Sequence, residues 1–163
     1  MFRIISFCLG LIVGVIAMTF SDTCRAGTLG LHTWSEHGKA TYQITHEGGA
    51  PEERKFNEDN FGLYYIGQDN WIVGAYKNSY YRNTVYAGYV IDGPTFRPLG
   101  VQVKPALAAA LATGYRRLEG VGTLRVMLMP QVVVHTGYGT AVRYSLAPGK
   151  RGMFQHLSIE RSF

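Results

Sequence analysis

Residues 61–91 read FGLYYIGQDNWIVGAYKNSYYRNTVYAGYVI, and the alternation within this stretch decides the fold. Three runs, Phe61–Ile66, Trp71–Lys77 and Thr84–Ile91, are separated by GQDN and by the polar NSYYRN, and Asp92-Gly93-Pro94 closes the third. Short runs rich in aromatic and β-branched residues, bounded by turn formers, are the pattern of strands joined in hairpins. Gly and Asn in GQDN accept the positive φ of a tight turn. Successive side chains on a strand point to opposite faces. Phe61, Leu63 and Tyr65 therefore oppose Asn60, Gly62 and Tyr64; Trp71, Val73 and Ala75 oppose Ile72, Gly74 and Tyr76; Val85, Ala87, Tyr89 and Ile91 oppose Thr84, Tyr86, Gly88 and Val90. One face is apolar throughout. The other mixes Gly with Tyr, which suits a narrow barrel interior where small residues make room for large ones.

The same reading extends both ways along the chain. Thr28–Ser35 is a first strand, and Glu36–Asp59 is a long polar loop holding Gly48-Gly49, Pro51 and the charged run Glu52-Glu53-Arg54-Lys55, with TYQIT inside it as a candidate short strand. Beyond Pro94, Leu99–Val103 alternates and Pro105 interrupts it. Ala106–Thr113 (ALAAALAT) has helix-favouring alanines, but its setting among strands favours a small-residue strand. Leu124–His135 carries Pro130, Thr140–Leu146 follows, APGKRG is a turn, and Phe154–Phe163 is last. The expected fold is all-β: a small antiparallel up-and-down β-barrel of about eight strands, the size of the smallest transmembrane barrels.

Residues 1–20 read MFRIISFCLGLIVGVIAMTF and precede SDTCRAG. One cation, an apolar run and a small-residue exit are the parts of a secretory signal peptide, with cleavage expected after Ala26; the alternative is an uncleaved membrane anchor of about 20 residues. The expected organisation is thus residues 1–26 as signal and 27–163 as barrel. Removal of the signal takes both cysteines, Cys8 and Cys24, so no disulfide framework or cysteine metal site is available. The remaining charge is +4, from 14 Lys and Arg (16 less Arg3 and Arg25) against 10 Asp and Glu (11 less Asp22). The cations are scattered, with Arg116-Arg117 and Lys150-Arg151 as adjacent pairs, so no nucleic-acid face is indicated.

In the last strand Leu157, Ile159 and Phe163 share a face with Arg161, while His156, Ser158, Glu160 and Ser162 share the other. Apolar outside and polar inside is the outer-membrane arrangement. Arg125, Gln131 and His135 lie on one face of their strand. If they point inward with Arg143 and Glu160, they form a lumen network, since an unpaired buried charge is costly. Closure follows from the bilayer itself, where no backbone donor can be left bare.

FQHLSIERSF (154–163), ending on Phe163, resembles the last strand of small bacterial outer-membrane β-barrels, whose terminal aromatic is read by the assembly machinery. The stretch from Asn60 to Val90 also resembles a group of short, uncharacterised proteobacterial and phage-encoded secreted proteins with a YRNS-like turn and a VYAGY strand. The resemblance implies an outer-membrane location and, as partners, outer-membrane lipid, periplasmic chaperones and the barrel-assembly machinery.

Three constellations carry candidate chemistry. His156, Ser158 and Glu160 at i, i+2 and i+4 resemble the His-x-Ser pair and acid of the lipid A deacylases, outer-membrane barrels that hydrolyse lipid esters; here Ile159 follows Ser158 where those enzymes place Asn, and Glu160 shares the strand. Asn78, Ser79, Tyr80, Tyr81 and Arg82 form a polar aromatic turn, read either as a recognition loop or as a hairpin turn with interfacial tyrosines. His32, Glu36, His37, His46 and Glu47 match no compact metal motif and read as solvated loop residues, so no metal or other cofactor is expected. Trp34 and Trp71 read as belt or core residues. The leading functional expectation is an outer-membrane barrel with a filled lumen and a role in surface contact or envelope structure, without catalysis. A soluble periplasmic barrel binding a lipid, glycan or protein is the first alternative, and a lipid-hydrolysing barrel the second.

Overall fold

The structure is a computed structural model that describes residues 27–44, 50–115, 124–149 and 152–163. Ten strands run through these residues: β1 (Thr28–Glu36), β2 (Thr41–Ile44), β3 (Glu52–Lys55), β4 (Gly62–Ile66), β5 (Trp71–Lys77), β6 (Asn83–Asp92), β7 (Gln102–Ala112), β8 (Arg125–Gly137), β9 (Thr140–Gly149) and β10 (Gly152–Ser162). Eight of them close into an antiparallel up-and-down barrel in the order β1-β10-β9-β8-β7-β6-β5-β4, and β2 and β3 form a separate hairpin between β1 and β4.

The barrel has two unlike ends. Gly27, Phe163 and the connections 67–70, 93–101 and 138–139 lie at the terminal end, where Phe163 N–H donates to the Gly27 carbonyl at 3.1 Å. The described residues 37–44, 50–61, 78–82, 113–115 and 124 lie at the opposite, loop end.

Alternation sorts the side chains as the sequence predicts. Tyr64, Ile72, Tyr86, Val90 and Ser158 are buried inside, while Leu63, Trp71, Val73, Val85, Tyr89 and Ile159 are exposed outside. The alanines of β7 face inward at Ala108, Ala110 and Ala112 and pack against the tyrosines, which is why this Ala-rich segment is a strand. Two glycines serve the same fit: a Cβ at Gly30 would fall within the Tyr64 ring, and one at Gly74 would meet Tyr86 Cζ at 2.6 Å.

The structure differs from the sequence reading at four places. Glu52–Lys55 is a strand, paired with Thr41–Ile44, because alternate positions of a two-stranded hairpin tolerate full exposure of charge. Pro105 does not interrupt β7: it pairs with Val132 of β8 and lies one residue beyond the last β6 pair, Asp92 with Ala106, so its absent N–H breaks no ladder bond. Leu99 belongs to a 3-10 turn with a φ of 50°, outside the strand. Most of APGKRG is strand, since β9 runs to Gly149 and β10 begins at Gly152. The signal segment, His46, Glu47, Arg116-Arg117 and Lys150-Arg151 lie outside the described residues.

Candidate functional site

The interior is built in layers across the barrel. In the central layer Arg143 Nε donates to Glu160 Oε1 at 2.6 Å and Arg143 Nη1 donates to Gln131 Oε1 at 2.6 Å. Gln131 Nε2 in turn donates to Ser145 Oγ at 3.0 Å. Tyr64 OH donates to Glu160 Oε1 at 2.7 Å and lies 3.0 Å from Ser158 Oγ. Arg143 and Glu160 are 5% and 4% exposed, and the Gln131 amide and the Tyr64 phenol each add a hydrogen bond to this buried ion pair. The chain places it by register: Arg143 pairs with Val133 and Ser158, bringing β8, β9 and β10 side by side.

Toward the loop end, His32 is the hub. Its Nε2 lies 2.8 Å from Tyr86 OH and its Nδ1 lies 3.2 Å from His156 Nε2, and its ring contacts those of Tyr64 and Tyr76. A register shift between His32 and Trp34 bulges β1, so that His32 points in and Trp34 points out.

The loop end carries an aromatic cap. His37 stacks on Phe56 with centroids 4.8 Å apart and meets Phe154 at 4.5 Å, while Tyr80 and Tyr42 flank Phe56. Backbone bonds hold the cap to the mouth: Ser35 N–H to the Glu58 carbonyl at 2.9 Å and Asn57 N–H to the Ser79 carbonyl at 2.8 Å. Burial among these rings lowers the His37 imidazole below its usual range, opposed by the Glu58 carboxylate. His32 and His37 are therefore packed and not solvated, a correction to the sequence reading, because the bulge and the Phe56 segment enclose them. Among the described residues no group of three His, Cys, Asp or Glu is placed to hold a metal ion.

At the terminal end a cavity of about 200 Å³ is lined by Asp92, Lys104, His135, Arg143 and Glu160, among others. Lys104 Nζ pairs with Asp92 Oδ2 at 2.5 Å. His135 Nε2 is buried beside it with no protein partner among the described residues.

Of the expected lumen network, Gln131, Arg143 and Glu160 are joined directly, His135 lies on the cavity, and Arg125 stands apart at the loop end, 5.5 Å over the Tyr115 ring. Tyr64 and Ser145 were not singled out as partners by the sequence, and His32 was weighed only within the loose His/Glu cluster, because cross-strand register decides who meets whom. The three residues of the hydrolase pattern all face inward, but each is committed elsewhere: His156 to His32, Ser158 to Tyr64, Glu160 to Arg143 and Tyr64. In the 78–82 turn Asn78 is fully buried. Its Oδ1 accepts from the Tyr80 and Arg82 N–H groups at 2.9 and 3.0 Å, and its Nδ2 donates to Thr84 Oγ1 at 2.9 Å. Tyr81, at a φ of 60°, is the exposed member of the five, with Lys77 Nζ 5.7 Å over its ring.

The outer wall is organised as well. Following the pairs from Leu31, one direction meets Ile159, Val142 and Val134, and the other meets Leu63, Ala75 and Val85, an apolar ring over seven of the eight barrel strands. Tyr65, Trp71, Tyr89 and Phe163 lie on the terminal side of this ring; Trp34, Phe61 and Tyr144 lie on the loop side. Arg161, which faces outward among apolar residues, sits at the terminal end and donates through Nη1 to the Tyr138 carbonyl.

The sequence matches no protein-family model and no curated protein.

Proposed function

We propose that the chain is an outer-membrane β-barrel protein whose side-chain-filled lumen excludes a pore and whose work is surface contact or envelope structure at its loop end. The observation that carries this reading is the outer wall: an apolar ring between two sets of aromatic side chains, around an interior that joins a hydrogen-bonded polar network to a cluster of Tyr, Ile, Val and Ala. A barrel in water needs polar residues on its outer face. The aromatic sets match the girdles that anchor barrels at both membrane surfaces. Both described termini at one end, and the β2–β3 hairpin with its aromatic cap at the other, fit a periplasmic terminal end and an exterior loop end.

In this reading residues 1–26 direct export, periplasmic chaperones and the barrel-assembly machinery deliver the chain, and outer-membrane lipid is the solvent of the ring. The layer of Arg143, Glu160, Gln131 and Tyr64 closes the cross-section and fixes the barrel's shape. Fractionation of the expressed full-length chain tests the location: the reading expects recovery with the outer membrane after alkaline extraction, and recovery as a soluble periplasmic species would overturn it.

A further inference from the structure

The outward side chains of β5 run in one column: Trp71 toward the terminal end, then Val73 and Ala75, then Lys77 toward the loop end, all exposed. An aromatic, two apolar groups and a cation in that order match one interface, the hydrocarbon and the opposite interface of a bilayer. The backbone of Lys77 is fixed on both sides. Its N–H donates to the Phe61 carbonyl at 3.1 Å, and its carbonyl accepts from Asn60 Nδ2 at 2.7 Å. Among the described residues Lys77 forms no ion pair.

Four residues on, Tyr81 stands in the turn between β5 and β6 at a φ of 60°. Gly and Asn enter that region freely, whereas a tyrosine does so at a cost in free energy. The bonds that shape the turn make no use of the phenol ring. Tyr81 N–H donates to the Asn78 carbonyl at 2.9 Å, Asn78 N–H donates to the Arg82 carbonyl at 2.7 Å, and the buried Asn78 side chain ties the turn to Thr84. The Tyr81 ring is 47% exposed and meets the Lys77 ammonium, 5.7 Å over its centroid. A strained residue whose side chain the turn does not use points to a contact made outside the chain.

We propose that Lys77 and Tyr81 clamp the phosphate of a lipid head group at the loop-end surface of the membrane. The inference rests on the outer-membrane reading, which puts Lys77 at the level of the exterior head groups. The ammonium pairs with a phosphate oxygen, and the ring over which it lies steadies the cation. Phe61, 63% exposed and bonded through its carbonyl to Lys77, adds apolar surface at the same level. The turn holds both groups before the lipid arrives, so little freedom is lost on binding.

The test uses the full-length protein folded in dodecyl maltoside micelles, with dioleoyl phosphatidic acid, whose head group is a phosphate monoester, as the probe. Native mass spectra across a titration read the fraction of protein that retains lipid. The wild type is expected to bind saturably. Lys77→Gln should weaken binding about fivefold, and Tyr81→Asn by about two- to fivefold. Lys55→Gln, which removes the same charge from the exposed strand β3, should leave binding unchanged. Because Asn accepts a positive φ, Tyr81→Asn should hold or raise the urea midpoint while it weakens lipid binding, a combination that a purely structural tyrosine does not give. Equal binding by the wild type, Lys77→Gln and Tyr81→Asn would overturn the clamp and leave the membrane reading standing. A lowered midpoint in Tyr81→Asn would assign the tyrosine to the fold, against the proposal. Displacement of the lipid by an equal concentration of inorganic phosphate would make this a site for the free anion and overturn the lipid assignment. A chain that folds in water and takes up no detergent would sink the clamp and the membrane reading together.

Discussion

Arg143 and Glu160 meet at 2.6 Å inside the barrel from strands that are neighbours only because β9 and β10 pair Arg143 with Ser158, two residues before Glu160. Tyr64 and Gln131 bond to the pair on one side, and the cavity at the terminal end lies on the other. Removing one partner leaves a buried charge unmatched, whereas removing both leaves none. Glu160→Gln or Arg143→Met is therefore expected to lower stability by about 3–5 kcal/mol. The double variant Arg143→Met/Glu160→Leu is expected to recover much of that loss. The urea midpoint of the folded protein in vesicles measures both, and equal losses in single and double variants would show that the charges are not coupled.

Gly30 and Tyr64 stand opposite each other across β1 and β4, and a Cβ at Gly30 would occupy the place of the phenol ring. Gly30→Val should cost about 1–3 kcal/mol by overpacking. Adding Tyr64→Leu should reduce the cost of the valine, a non-additivity expected of residues in contact. Additive losses in the unfolding midpoint would contradict the packing described.

Burial holds the His37 imidazole below its ordinary value of about 6.5. The unfolded or detached cap then binds the proton more readily than the packed one. Stability of the cap is fully present above pH 6.5 and is lost as the pH falls through the lower value of the packed state. Hydrogen exchange at Phe56 and Asn57, compared as protection factors, should show weaker protection at pH 5 than at pH 7.5. Phe substituted for His37 should flatten that dependence; a pH dependence unchanged in His37→Phe would assign it to another group.

Val73 faces outward from β5, one outward position from Ala75 of the apolar ring toward the terminal end. Val73→Arg should destabilise a membrane-inserted barrel by about 2–4 kcal/mol. An exposed site on a protein in water would feel the same change by less than about 0.5 kcal/mol. Folding yield and urea midpoint in vesicles distinguish the two.

Much of the fold was legible because period two runs unbroken through β4, β5, β6 and β10, where every inward and outward assignment follows from the alternation. Prolines misled: Pro105 breaks nothing, since its nitrogen lies just past the last β6 pair, a fact of register that composition does not carry. The bulge at Thr33 was equally hidden, for nothing in LHTWSE says that His32 and Trp34 take opposite faces. The inward residues Gln131, Arg143 and Glu160 could be listed from alternation, but their contacts with Tyr64 and Ser145 depend on the stagger of four strands. Asn78 read as a recognition residue because Asn, Ser, Tyr and Arg are the residues of binding loops. Its burial beneath Thr84 and Gly114 makes it the support of the turn, and the sequence holds no sign of that depth.

The central claim is that the apolar ring faces lipid. Gel migration of the vesicle-folded chain, with and without heating, tests it most directly, because a closed transmembrane barrel resists detergent until it is boiled. The account predicts a compact band before heating that shifts to the unfolded position after it, together with protection of β4–β10 from protease in vesicles. A chain that folds in water without lipid, migrates alike under both conditions and floats free of vesicles would contradict it, and the ring of Leu31, Leu63, Val85 and Ile159 would need another partner.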